Sequence, residues 1–74
     1  VVDIRLIFAT AIKSLATSII LAHNHPSGQT RPSEADKQIT QKIKKAGEVL
    51  DIKLLDHLIL TAETYTSFAD ECLL

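Results

Sequence analysis

The sequence predicts a small α/β domain, a mixed sheet with flanking helices in the order α-β-α-β-β. Three observations predict it. Two segments repeat apolar residues every three or four positions, as helices with one buried face do. Two shorter runs rich in Ile and Leu have the length of strands. Helical and extended patterns alternate along the chain, which is the sign of a layered α/β architecture.

Ile4, Phe8, Ala11, Ile12 and Leu15 form the first stripe, with Asp3 placed to cap it, and predict a helix over about 3–16. Ser18-Ile19-Ile20-Leu21-Ala22 follows as a nearly continuous apolar run, expected to be a central strand covered on both faces. Residues 24–32 hold both prolines and one of the two glycines and form the main loop. Ser33 then stands as an N-cap with Asp36 three residues on. Ile39, Ile43, Ala46 and Leu50 continue as the apolar stripe of a helix over about 34–50. Gly47 inside that helix costs about 1 kcal/mol relative to Ala. Residues 52–60 read as a second strand whose polar residues are irregularly spaced, and 64–68 as a third, edge strand.

At 74 residues the chain forms a single domain with a thin core, because a chain this short buries only about 60% of its unfolded surface. Hydrophobic residues at 46% and charged ones at 23% place it among globular proteins rather than disordered ones. A net charge of -1 excludes the broad basic field of a sequence-independent nucleic-acid binder and leaves local contact only. Lys42, Lys44 and Lys45 read either as a phosphate contact or as the solvated face of the second helix. Cys72 is the only cysteine, so an intramolecular disulfide and a Cys-rich zinc site are both excluded. No apolar run reaches the roughly 20 residues of a membrane span, and a cytoplasmic protein with no membrane partner is expected. The chain opens on Val-Val-Asp and enters a helical pattern almost at once, which reads as a piece of a longer protein. Exposed strand edges are then expected to pair either with upstream strands or with another copy, the second alternative giving a homo-oligomer.

The chemistry concentrates after the first strand. If the chain stays extended at 23–25, His23 and His25 project from the same side, since side chains two apart on a strand share a face. Asp36 lies in the first turn of the next helix, and the intervening loop is long enough to bring that turn back over the strand end. Two imidazoles and a carboxylate make three protein ligands, the number typical of a catalytic zinc site with its fourth position open to water. Such an ion lowers the pKa of its water toward about 7 and polarises a carbonyl, which implies hydrolysis. A lone H-x-H is common by chance, however, and Asp36 is equally explained as the acid that answers Ser33 in a capping box. The joint spacing separates these readings.

His23-x-His25, seven residues, Ser33, two residues and Asp36 reproduce the JAMM motif of JAB/MPN-domain metalloproteases position for position. His23-Asn24-His25-Pro26-Ser27-Gly28 and Leu55-Asp56-His57-Leu58-Ile59 resemble the RadC-like bacterial branch of that family, and the resemblance runs from the first helix to about Ser67. It implies a JAB/MPN core of cytidine-deaminase-like fold lacking its N-terminal strands. It implies Zn2+ held by His23, His25 and Asp36, with Ser33 as the hydroxyl that stabilises the oxyanion of a tetrahedral intermediate. A peptide or protein is the implied substrate. Asn24 stands where eukaryotic deubiquitinating members carry Ser or Thr, which also points to the bacterial branch.

One departure limits the expectation. The family's general base is a Glu on an upstream strand, and residues 1–22 contain no Glu. Asp3, the sole acid there, is better explained as a helix cap, while Glu34, Glu48, Glu63 and Glu71 follow the motif and match nothing in it. The chain itself is therefore expected to bind metal and to hydrolyse poorly, if at all. The alternative is a non-catalytic, DNA-repair-associated interaction or DNA-binding module. His57 reads as a group behind a ligand, a third imidazole or a structural residue. The HNH letters at 23–25 do not make the nuclease of that name, whose residues are dispersed over a ββα-metal fold. A zinc deaminase needs P-C-x-x-C, which one cysteine cannot supply.

Overall fold

The computed structural model describes residues 2–74. Asp3 opens α1 (Ile4–Lys13) by accepting from the Arg5 N–H at 2.9 Å, which satisfies a donor left free at the helix start. The helix stops before the periodicity does. Leu15 turns into left-handed backbone at φ 55° and is 88% exposed, so it leaves the stripe assigned to it. Ile12 lies at the margin of the buried face and is also exposed, while Phe8 and Ala11 are buried.

β1 (Ser18–Asn24) is longer than expected and alternates. Ile19, Leu21 and His23 are half-buried on one face, and Ile20, Ala22 and Asn24 are exposed on the other. It is an edge strand of a three-stranded sheet in the order β1-β2-β3, not the doubly covered central strand read from its apolar run. The reason lies in the layers. Phe8 and Ala11 of α1 and Ile43 of the second helix enter one cluster with Ile52 and Leu54, packed against Ile19 and Leu21. Both helices thus serve the same sheet face, and Ile20 stays 60% exposed on the other.

α2 (Glu34–Leu50) carries the expected capping box. Ser33 Oγ accepts from the Asp36 N–H at 3.0 Å, and Asp36 Oδ2 accepts from the Ser33 N–H at 2.9 Å. Its far end explains Gly47. A Cβ there would overlap the Ile52 carbonyl oxygen, so glycine lets the last turn close on the chain entering the next strand. Asp51, left-handed at φ 57°, ends the helix, and Ile52 donates its N–H to the Gly47 carbonyl at 2.8 Å.

β2 (Lys53–Leu60) runs parallel to β1 through the α2 crossover, and β3 (Tyr65–Ser67) runs antiparallel to β2, giving the mixed sheet expected. The irregular polar spacing of β2 has a structural cause. Ile19 pairs with Leu54 but Ile20 pairs with Asp56, so Leu55 has no partner. With one residue passed over, Leu54, His57 and Ile59 all face inward and are buried. Asp56 secures the turn-over by accepting from Ser67 Oγ at 2.6 Å, the Ala69 N–H at 3.0 Å and the His57 N–H at 2.7 Å. Burial pushes its carboxyl up, but these hydrogen bonds outweigh burial and hold it below the usual carboxylate value. Phe68, fully buried, stacks on the His57 ring at 4.5 Å between centroids.

Candidate metal centre

Strand pairing aims the histidines. His23 takes the inward slot after Leu21, and the ladder continues past β1, with the His25 N–H donating to the Leu60 carbonyl at 2.9 Å. His25 is therefore still held beside the sheet. The loop then folds back on it: Gly28, at φ 83°, donates its N–H to the His25 carbonyl at 3.0 Å, a conformation glycine takes at no steric cost. His25 Nδ1 donates to the Gln29 carbonyl at 2.9 Å, because a carbonyl can only accept. In the neutral ring that bond puts the proton on Nδ1 and leaves Nε2 available as a ligand.

Asp36 arrives from the first turn of α2. Its Oδ1 lies 3.4 Å from His23 Nε2 and its Oδ2 lies 3.4 Å from His25 Nε2, while the two Nε2 atoms are 2.9 Å apart. One donor atom from each residue lies within 4.8 Å of the others, the geometry of a group able to hold a metal ion. A tetrahedral zinc site with bonds of about 2.0–2.1 Å has donor-to-donor edges of about 3.3 Å. The His23 Nε2 to Asp36 Oδ1 edge matches at 3.4 Å, and the 2.9 Å between the two Nε2 atoms needs a small opening. Asp36 Oδ2 is engaged by the Ser33 N–H, so Oδ1 is the oxygen free to ligate, and the capping and ligand roles are shared between the two oxygens. Side-chain exposures of 33% for His23, 21% for His25 and 17% for Asp36 leave the donors reachable while partly shielding them. Burial pushes the Asp36 carboxyl up, but hydrogen bonding to Ser33 and the nearby His23 and His25 outweigh burial and keep it below the usual value.

Ser33 sits beside this cluster as the N-cap. Its Oγ accepts from Asp36 and keeps its own proton to donate elsewhere. His57 is not a third ligand. It is buried behind His23, with its Nε2 2.8 Å from His23 Nδ1, and its Nδ1 lies 2.6 Å from Thr40 Oγ1. Thr40 is the participant that sequence reading missed. The signal was present: it lies one turn after Asp36, and it is a hydroxyl on the buried face of an amphipathic helix.

The fold and the donor set define a class: an α/β domain with an H-x-H strand end and a helix-borne Asp that can hold a metal. The chain belongs to the RadC-like JAB domain family, whose model matches residues 1–73. It is similar to a UPF0758 protein of Flavobacterium johnsoniae, 61% identical over 96% of this chain and 31% of that protein. A UPF0758 protein of Porphyromonas gingivalis is 56% identical over 97% of this chain and 32% of its own length. One of Thermotoga maritima is 46% identical over 90% and 30%. The chain spans about a third of the length of these relatives. Among the described residues no helix is long and apolar enough to cross a membrane.

His57 and Asp56 give the metal-free domain a defined pH response. Burial, and then the neighbouring His23, push the His57 imidazole down from its usual value, against the pull of Asp36 and Asp56. Below pH 6.5 the unfolded chain takes up a proton at His57 that the folded chain refuses, so stability falls with acidification from there. The Asp56 contribution is whole above about pH 4 and is lost as pH falls below it. Urea unfolding in chelator across pH 4.5 to 8 should show the first decline, and His57→Gln should flatten it. An unchanged slope in the variant would refute the assignment.

Proposed function

We propose that this chain is the zinc-binding core of a RadC-like JAMM metallohydrolase acting on a peptide or isopeptide bond. The observation that carries this reading is the convergence of His23, His25 and Asp36, one donor atom from each lying within 4.8 Å of the others. Zinc held there would polarise a substrate carbonyl and lower the pKa of a water in its fourth position toward about 7. Everything else falls to the protein. His25 is fixed by Gln29, Asp36 by Ser33, and the free Ser33 proton is available to an oxyanion. A cleft of about 540 Å³ opens beside His23 and Asp36, lined by Val2, Ile7, Leu21 and Ile39, and suits an apolar substrate side chain. Residues 1–22 contain no Glu, so the proton acceptor would come from outside these residues, and this stretch by itself binds zinc without turnover. The reading places the protein in a reducing, cytoplasmic setting, to which the single free Cys72 is suited.

Calorimetric zinc titration tests it. The chain should bind one equivalent, and the His23→Ala, His25→Ala double variant should lose affinity by at least about 100-fold, since two of three ligands are gone. Equal binding by both proteins would refute the reading.

A further inference from the structure

A histidine binds metal through one ring nitrogen, and the partner of the other nitrogen decides which. His23 Nδ1 lies 2.8 Å from His57 Nε2, His57 Nδ1 lies 2.6 Å from Thr40 Oγ1, and Thr40 Oγ1 lies 2.7 Å from the Asp36 carbonyl oxygen. Each link has one direction. The carbonyl can only accept, so the Thr40 hydroxyl gives it its single proton. Thr40 Oγ1 then faces His57 as an acceptor, and His57 carries its ring proton on Nδ1. The His57 Nε2 is left bare and accepts from His23 Nδ1–H. A neutral His23 is therefore bare at Nε2, which lies 2.9 Å from His25 Nε2 and 3.4 Å from Asp36 Oδ1, a meeting of lone pairs that a shared cation must bridge.

The row crosses three elements, from β1 through β2 to α2, and begins and ends beside the same site. Thr40 donates to the main-chain carbonyl of the very residue whose side chain completes the donor set. Thr40 and His57 are both buried and Phe68 covers the His57 ring, so water does not compete for these bonds.

We propose that Thr40 and His57 form a directed hydrogen-bond relay that selects the His23 tautomer presenting a bare Nε2 to the metal, which makes both of them positioning residues. This deepens the metal-binding reading and rests on it.

Zinc titration of Thr40→Val and Thr40→Ser, each checked for native circular dichroism, tests it. Val fills the volume of Thr without the hydroxyl, and Ser keeps the hydroxyl without the methyl. The relay requires that Thr40→Val weaken zinc binding about 10- to 100-fold while Thr40→Ser stays within about threefold of the parent. A packing role alone gives the reverse order, and that order, or parent-like affinity in Thr40→Val, overturns the proposal. Long-range proton–nitrogen NMR on the histidines of the zinc-loaded parent chain gives an answer that does not depend on the variants folding. His23 should be protonated at Nδ1 and coordinated through Nε2, and His57 protonated at Nδ1 and bare at Nε2. A His23 coordinated through Nδ1, or a His57 protonated at Nε2, sinks the relay, whereas a parent chain that takes up no zinc sinks the metal reading, so the two failures are told apart.

Discussion

Gly47→Ala should destabilise the domain by about 2–3 kcal/mol, the upper range for forcing extra atoms into a packed site. The sign makes the test sharp. At an ordinary interior helix position Ala is better than Gly by about 1 kcal/mol, so helix propensity alone predicts a gain. Here the added methyl meets the Ile52 carbonyl oxygen, a backbone atom at the entry to β2 that no rotamer change can move aside. To accept it, α2 must lift from the sheet and strain the Ile52 N–H to Gly47 carbonyl bond. A domain of this size holds only about 0.05–0.15 kcal/mol per residue, so the loss is a large share of the total. Urea unfolding in the presence of chelator measures it. A stabilised Gly47→Ala would show that the helix and strand do not approach so closely.

Asp36→Asn should separate the two roles of Asp36. The amide oxygen can still accept from the Ser33 N–H, so without metal the cost should stay below about 1 kcal/mol, the usual worth of a cap. The charge is gone, however, and with it one anionic ligand opposite two neutral imidazoles. Zinc at 100 times its dissociation constant should stabilise the parent chain by about 2.7 kcal/mol, and a 100-fold weaker variant should show only about 0.4 kcal/mol at the same concentration. Asp36→Ala should lose both the cap and the metal-linked gain. Thermal melts with and without zinc, run on all three proteins, distinguish these outcomes. Equal zinc-induced shifts in the parent and Asp36→Asn would remove Asp36 from the donor set.

Much of this architecture is legible in the chain because it is local. Asp3 and Ser33 announce helix starts through hydrogen bonds that span two or three residues, and the Phe8–Ala11 and Ile39–Ile43 stripes mark the faces that meet in the core. The meeting of His23, His25 and Asp36 is legible for a similar reason: a strand end fixes His23 and His25 on one side, and a cap fixes Asp36. What escapes is decided at long range. Ile20 belongs to an apolar run, but whether that run is covered on one face or two depends on which side the helices take. Leu15 fails because a helix can stop before its pattern does. The partnership of His57 with His23 depends on a strand register set 34 residues away, and Thr40 enters only once that register is known.

The unpaired Leu55 makes β2 a strand whose length matters by parity. Ordinary alternation from Leu54 would turn His57 and Ile59 outward and bring Asp56 in behind His23, an anion in place of an imidazole. The supernumerary residue corrects the count once, before His57. Loss of one residue at position 55 would therefore leave an even ladder with the same side chains inside. Loss of one residue between His57 and Ile59 has no such remedy, because either His57 or Ile59 must then turn to solvent. The domain can tolerate a change of chain length on one side of His57 and not on the other.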